Sequence, residues 1–462
     1  MDWTKLTGIV LALGAVASTL AFGGVEPLAF APVEMAIAFL AAVQFWRKGW
    51  PSVSRTTLLV LGTVVAIPLL QLLPLPARIV SAVSPQRVAL ARALFASIAP
   101  LGAKFALSVN SYETQLSILR LICYVLVFLL AFQDYQLRRE QTALVVTLIL
   151  LGVFEAAYGS VQYLTGWQYI YTYAKQASLE AGSGTYINRN HFAGLLEMAL
   201  PFVLARGLIR RPAREGAHRS RWKEKMISLS SSHLLRDMVL FAVIAVGLVF
   251  SRSRMGIFAA VVGVIVVAGI AFFLQRGRRS VLAVAFLIFI LPVAYSVWIG
   301  LNPVIERYEV LKLPGALEQD MRLPIWHDTL TLIRDYPLLG TGLGTYPWAS
   351  EHYQTSNLKM IYGHAHNDYL ELAADIGIPA AVLLFGGLWV LAVKVARKAR
   401  FLEHTGDQVL AAGCAGAMVS LLTHAITDFN FQIPANAFIF AWIVGTAAAL
   451  IRRPVAETET PS

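Results

Sequence analysis

The sequence predicts an all-α, polytopic membrane protein with about twelve transmembrane helices, and three observations predict it. Of its 462 residues, 57% are hydrophobic and only 14% charged, where a soluble domain carries about 25% charged residues. Apolar runs of about 17–23 residues recur along the chain, the helix length that crosses a hydrocarbon core. The basic residues collect between alternate runs, as in loops kept in the cytoplasm. In lipid the backbone must satisfy its own hydrogen bonds, so such runs become packed helices.

Taken in order, the runs lie at 7–22, 30–45, 57–73, 115–132, 142–164, 191–209, 238–250, 255–274, 281–299, 379–395, 409–427 and 437–451. The first has the small-residue site of a signal peptide at Ala15-Val16-Ala17. A second run follows at once, so it reads as an uncleaved span. Residues 1–453 are expected to form one helical domain, and 454–462 a polar, disordered cytoplasmic tail. There is no visible internal repeat.

The net charge of +11 invites a nucleic-acid reading. Its distribution argues for membrane topology and no nucleic acid. Arg47, Lys48 and Arg55 follow the second run, and Arg138 and Arg139 the fourth. Arg210, Arg211, Arg214, Arg219, Arg221, Lys223 and Lys225 follow the sixth; Arg276, Arg278 and Arg279 the eighth. Lys394, Arg397, Lys398 and Arg400 follow the tenth, and Arg452 and Arg453 the last. All fall on one side, which should be the cytoplasm, with both termini there. Cys123 and Cys414 lie inside apolar runs and read as small buried residues.

Three segments on the opposite side are long: 74–113, 165–190 and 301–378. Ser84-Pro85 is a helix-start signal, and the Ala/Leu/Val-rich stretch behind it suits the membrane interface. The third segment is the largest region outside the membrane and holds the densest polar cluster, Gly363-His364-Ala365-His366-Asn367-Asp368-Tyr369-Leu370-Glu371. Asn367 or Asp368 can cap a short helix that Gly377 ends, with Pro379 opening the next span. Either histidine then sits just before a helix start, and an imidazole titrating near neutrality can act as a general base. Two other readings stand beside this one. The histidines can be plain hydrogen-bonding loop residues. His364, His366 and Asp368 also match part of a metal-binding His-x-His-x-Asp motif, but Tyr369 stands where that motif continues with histidine.

Arginine marks the second feature. Ser251-Arg252-Ser253-Arg254 interrupts two apolar runs as a tight outer turn. An arginine there is costly unless it snorkels or meets an anion; snorkelling accounts well for Arg252 and less well for Arg254. Arg322 opens Arg322-Leu-Pro-Ile-Trp326 in the third outer segment, where a lone arginine is ordinarily just solvated. Its planar fork suits phosphate. The case rests on Arg254, Arg322 and His366 sharing one face. Gly340-Thr-Gly342-Leu-Gly344 has the look of a phosphate loop, but no Lys-Ser/Thr follows it, and it reads as a turn beside Pro337.

The ordered motifs resemble the O-antigen ligase / Wzy-type O-antigen polymerase superfamily over roughly the C-terminal two thirds. They are Asn188-Arg-Asn190-His191-Phe-Ala-Gly194, Ser253-Arg254-Met-Gly256, Arg322-x-x-x-Trp326, Asp335-Tyr-Pro337 through Tyr346, His364-Ala-His366-Asn367-Asp-Tyr-Leu370-Glu371 with Gly377, and Asp428-Phe-Asn430-Phe-Gln-Ile-Pro434. Arg189 stands where a proline is common, and Ala380 where the ligase pattern ends in glycine.

The resemblance implies a GT-C-like glycosyltransferase of the bacterial inner membrane, working at its periplasmic face. The donor would be a glycan on undecaprenyl pyrophosphate, and the acceptor lipid A–core or a growing polysaccharide. Arg254 and Arg322 would hold the pyrophosphate. His366 would take the proton of an acceptor hydroxyl in one inverting displacement, with no metal and no cofactor. His364, Asn367, Glu371, Asn190 and Asp428 are the supporting candidates; His364 can bind acceptor or orient His366, and Asp428 can approach the site or cap a helix. Ligase and repeat-unit polymerase stay open, as does protein glycosylation. A lipid-linked sugar transporter or flippase is the rival from another class; such proteins favour sites near the midplane on broken helices.

Overall fold

The protein is described here from a computed structural model, covering residues 3–95, 104–137, 142–209, 232–275, 322–355 and 362–453. The expected span at 281–299, the basic residues at 138–139, 210–225 and 276–279, and the first part of the third outer segment lie outside the described residues. Among those described, eight helices are long and apolar enough to cross a membrane. They are α2 (Pro27–Lys48), α6 (Ser111–Leu137), α7 (Thr142–Thr165), α8 (Arg189–Leu208), α10 (Arg254–Leu274), α14 (Ile378–Lys398), α15 (Thr405–His424) and α16 (Pro434–Ile451). Helices α1 (Trp3–Leu20) and α3 (Arg55–Gln71) are shorter apolar helices.

Helix α9 runs Ser232–Phe250, a turn and a half longer than the apolar run suggests. Two of the extra residues, Arg236 and Asp237, are charged but paired in space. Asp237, nearly buried, meets Arg206 of α8 at 3.2 Å and Arg236 at 3.1 Å. Pairing lowers the cost that hydropathy alone assigns to such residues.

Helix α8 is apolar around its whole circumference, the mark of a central helix. It is buried along almost all its length, against α7, α9, α10 and α15. Small residues let the helices close up. At the α10–α15 crossing, a Cβ on Gly416 would lie 2.7 Å from Val267 and 2.8 Å from Pro201, which leaves no room for a side chain. Outer helices keep large apolar side chains exposed, among them Leu28, Met35, Phe39, Phe258 and Phe273. On a soluble monomer this would be an extended sticky surface; on a bilayer protein it is the lipid face.

One end of the bundle carries a second layer. It holds α4 (Ala77–Val83), α5 (Pro85–Phe95), α11 (Arg322–Asp335), α12 (Tyr346–Ser350) and α13 (Asp368–Ile376), with the two-residue pairing of β1 (Leu75–Pro76) and β2 (Lys104–Phe105). A second short pairing joins β3 (Tyr169–Ile170) and β4 (Tyr173–Ala174). The first and third long segments fuse here. The Val109 amide donates to the Thr341 carbonyl at 2.8 Å. The Gln71 side chain of α3 donates to the Asp375 carbonyl at 2.8 Å and accepts from the Leu343 amide at 3.0 Å. Helices α8, α14 and α16 start at this end and finish at the other in Arg206, in Arg397 and Lys398, and in Arg452.

Candidate active site

The site is assembled where α8, α11 and α13 begin and α15 turns into α16. Asn367 caps α13, its Oδ1 accepting the Leu370 amide at 3.1 Å, and Gly377 ends that helix at φ +84°. Proline in the first turn then opens α14. The local expectation for this motif therefore holds. His366, immediately before the cap, sits at φ +49°. A side-chain-bearing residue rarely adopts that conformation, and such strain concentrates at functional sites.

Asp428 is the hub. It is 1% exposed, in the turn between α15 and α16. The amide of Asp368 donates to the carbonyls of Ala425 at 2.9 Å and Asp428 at 3.1 Å, stitching that turn to the start of α13. Around the Asp428 carboxylate stand His191 Nε2 at 3.6 Å, His366 Nδ1 at 3.9 Å and Arg322 Nη2 at 3.9 Å. The Asn190 side-chain amide donates to its Oδ2. The carboxylate also accepts its neighbour's amide, Phe429, at 2.9 Å, and it joins the site.

Arg322 is not a loop residue, as the sequence reading had it, but the first residue of α11. Its neighbour Trp326, one turn on, donates to the Ala365 carbonyl at 3.0 Å and so fixes α11 against the His364–His366 segment. Arg254 starts α10, whose cap is Ser253, its Oγ accepting the Gly256 amide at 3.2 Å. Gly256 lies against Ala193, one turn along α8 from Asn190. The start of α10 thus adjoins the start of α8. Arg252 is held by protein: its Nη1 donates to the Glu180 carbonyl at 3.0 Å. Snorkelling is replaced by a bond that pins the 165–190 segment.

His364 has its own carboxylate. Its Nδ1 lies 2.8 Å from Glu371 Oε1, and Glu371 Oε2 accepts the Ala365 amide at 2.8 Å. Its ring stacks on Phe429 at 4.0 Å and 16°. His191 and His366 meet the same ring edge-on, at 4.5 Å and 4.9 Å. Three histidines therefore surround one phenyl ring.

The electrostatics separate the histidines. Burial pushes the His366 imidazole below its ordinary value and Arg322 adds to this, against the pull of Asp428. Burial also acts to lower His364, but Glu371 and Asp428 outweigh it and raise the imidazole. Burial opposes the charge on Asp428, yet the surrounding His191, His424 and His366 win and hold the carboxyl well below the usual range. The site thus sets His366, whose neutral form is favoured, beside the ionised Asp428 and the Arg322 guanidinium, while Glu371 favours the charged form of His364.

The amides of the glycine turn donate within the protein. Gly344, at φ +75°, donates its amide to the Asp375 carboxylate at 2.8 Å, and Gly342 donates to the Asp375 carbonyl at 3.0 Å. Among the described residues no three His, Cys, Asp or Glu side chains are arranged to hold a metal ion. Sequence reasoning missed His191 and Phe429, each adjacent to a named candidate, and the pair Glu197–His424. That pair joins α8 to α15 at 3.0 Å, fully buried below the site.

Residues 239–385 match the family model described as O-antigen ligase. Over those residues the chain is similar to the O-antigen ligase family. No curated protein matches the chain. Arg254, Arg322, His364, His366, Asn367 and Glu371 all fall within the O-antigen ligase match. Asn190 and Asp428 lie on either side of it and complete the site through α8 and the α15–α16 turn.

Proposed function

We propose that the protein is a membrane glycosyltransferase that moves a glycan from a lipid pyrophosphate to an acceptor sugar hydroxyl. The observation that carries this is Asp428, one buried carboxylate that stands beside both a neutral histidine and an arginine. A base and a phosphate-binding cation are thereby held in one cluster. Undecaprenyl pyrophosphate is the donor carrier, at the periplasmic face of the bacterial inner membrane, with both termini cytoplasmic. Basic residues at the far ends of α8, α14 and α16 support that orientation.

With the His366 proton on Nδ1, facing Asp428, its Nε2 lone pair takes the acceptor hydroxyl proton. The acceptor oxygen bonds to the anomeric carbon as the bond to the pyrophosphate oxygen breaks, with inversion. The leaving pyrophosphate keeps the electron pair, and Arg322, Arg254 and His364, whose charged form Glu371 favours, face the charge that develops. Asp428 stabilises the new imidazolium. Acceptor identity separates ligase from polymerase and follows below.

The test uses proteoliposomes with labelled lipid-pyrophosphate-linked glycan and a glycan acceptor. A new glycosidic bond of inverted anomeric configuration is expected. Label crossing the bilayer without bond formation would establish the transporter instead.

A further inference from the structure

A cavity of about 230 Å³ lies between α3, α6, α14 and α16, away from the α10 and α11 arginines. Helix α6 turns one continuous face to it: Ser117, Arg120, Leu121, Tyr124, Val125 and Phe128. The spacing is i, i+3, i+4, i+7, i+8, i+11, a single helical stripe. Along about 16 Å of helix this stripe runs from polar to apolar. Leu388 of α14 and Val444 of α16 continue the apolar half. The cavity has the pattern of an amphiphile, a polar head above and a hydrocarbon chain below.

The level of the polar half is fixed by Gly344, which lies against the Ser117 hydroxyl. Arg120 therefore sits one turn below the outer layer, within the span. Among the described residues its guanidinium donates no hydrogen bond, although an arginine has five donors to satisfy. Glu34 of α2 is the carboxylate that acts on it, and Glu34 Oε1 is itself buried without a hydrogen bond. Asp368 lines the mouth. Burial and Glu371 push its carboxyl well above the usual range. Asp368 is also two residues from His366, so a headgroup at this mouth stands beside the base.

We propose that this groove is the berth of a lipid-borne acceptor, its hydrocarbon chain between α6, α14 and α16 and its phosphate on Arg120. The proposal rests on the glycosyl-transfer reading. It deepens that reading by assigning the acceptor to a phosphate-bearing lipid rather than a protein, and by bringing it from the side opposite Arg254 and Arg322.

The test is photolabelling of the full-length protein in nanodiscs. The probes are a diazirine-bearing polyprenyl phosphate, the same polyprenol without phosphate, and phosphatidylglycerol carrying the same diazirine. Polyprenyl phosphate should label peptides containing Leu388 and Val444 about tenfold more than the alcohol, the worth of a charge-assisted hydrogen bond. Arg120→Gln should remove that preference, Arg120→Lys should restore part of it, and Arg322→Gln should leave labelling in the groove unchanged. Labelling that ignores Arg120, maps elsewhere, or is matched by phosphatidylglycerol would overturn the proposal. None of these readouts requires turnover, so they stand whether or not transfer is observed. In the transfer assay, Arg120→Gln should raise KM for a lipid-borne acceptor about tenfold and leave donor KM unchanged; a raised donor KM would count against it.

Discussion

Nδ1 of His366 lies 3.9 Å from Oδ1 of Asp428, beyond a hydrogen bond but inside the range where charge acts strongly. The nitrogen is buried and lacks a hydrogen-bond partner. Catalytic contacts are often long before substrate arrives and close on binding. The relationship makes Asp428 the residue that sets the basicity of His366 and holds Arg322 beside it.

Replacing Asp428 by asparagine should remove the larger of the two influences that raise His366, the other being Glu371. The imidazole then falls further below its ordinary value. A base must be unprotonated to work, so the acidic limb of kcat/KM should move to lower pH. The weaker base and the loss of imidazolium stabilisation should lower the plateau about 10–100-fold. The pH profile of transfer checks both effects; an unmoved acidic limb would exclude the coupling.

Glu371→Gln acts on the other histidine. His364 is raised by Glu371, so the wild type should lose a helpful cation as pH climbs through the His364 value, above the ordinary imidazole range. In Glu371→Gln that alkaline limb should shift to lower pH. At pH values between the wild-type and variant limbs, donor affinity should fall, because His364 is neutral in the variant and charged in the wild type. Binding of labelled lipid pyrophosphate across pH measures it.

Arg322→Lys should not rescue Arg322→Ala. A lysine keeps the charge but loses the planar fork that grips phosphate oxygens in pairs. Both variants should lose roughly 10–100-fold in transfer, about 1.5–3 kcal/mol per charge-assisted contact. Steady-state kinetics on matched protein amounts decides it.

Gly194→Ala should damage the site from beneath. A Cβ there would lie 2.9 Å from Asn436 Nδ2 and overlap the Asn430 side chain. Asn430 and Asn436 are hydrogen-bonded at 3.0 Å just after Asp428. Overpacking of this kind costs about 1–3 kcal/mol. Thermal unfolding in detergent should show the loss, together with reduced transfer.

What the sequence made legible was local. The cap at Asn367, the stop at Gly377 and the restart at Pro379 depend on neighbours a few residues away, and they stand as expected. Asp428 was ambiguous because its role comes from the α15–α16 turn folding onto α13, across some sixty residues of chain. Arg322 was read as lying in an outer segment with no helix expected around it. Proline is tolerated in a first helical turn, and α11 begins at Arg322. Arg120 escaped notice as a single charge within an apolar run, since only packing reveals the groove beside it.

The most direct test of the central claim is single-turnover transfer by His366→Ala, with donor binding measured on the same preparation. The account predicts donor affinity within about twofold of wild type and transfer reduced about 10²–10⁴-fold, the usual worth of a general base. Transfer within tenfold of wild type, from folded protein with donor bound, would contradict it.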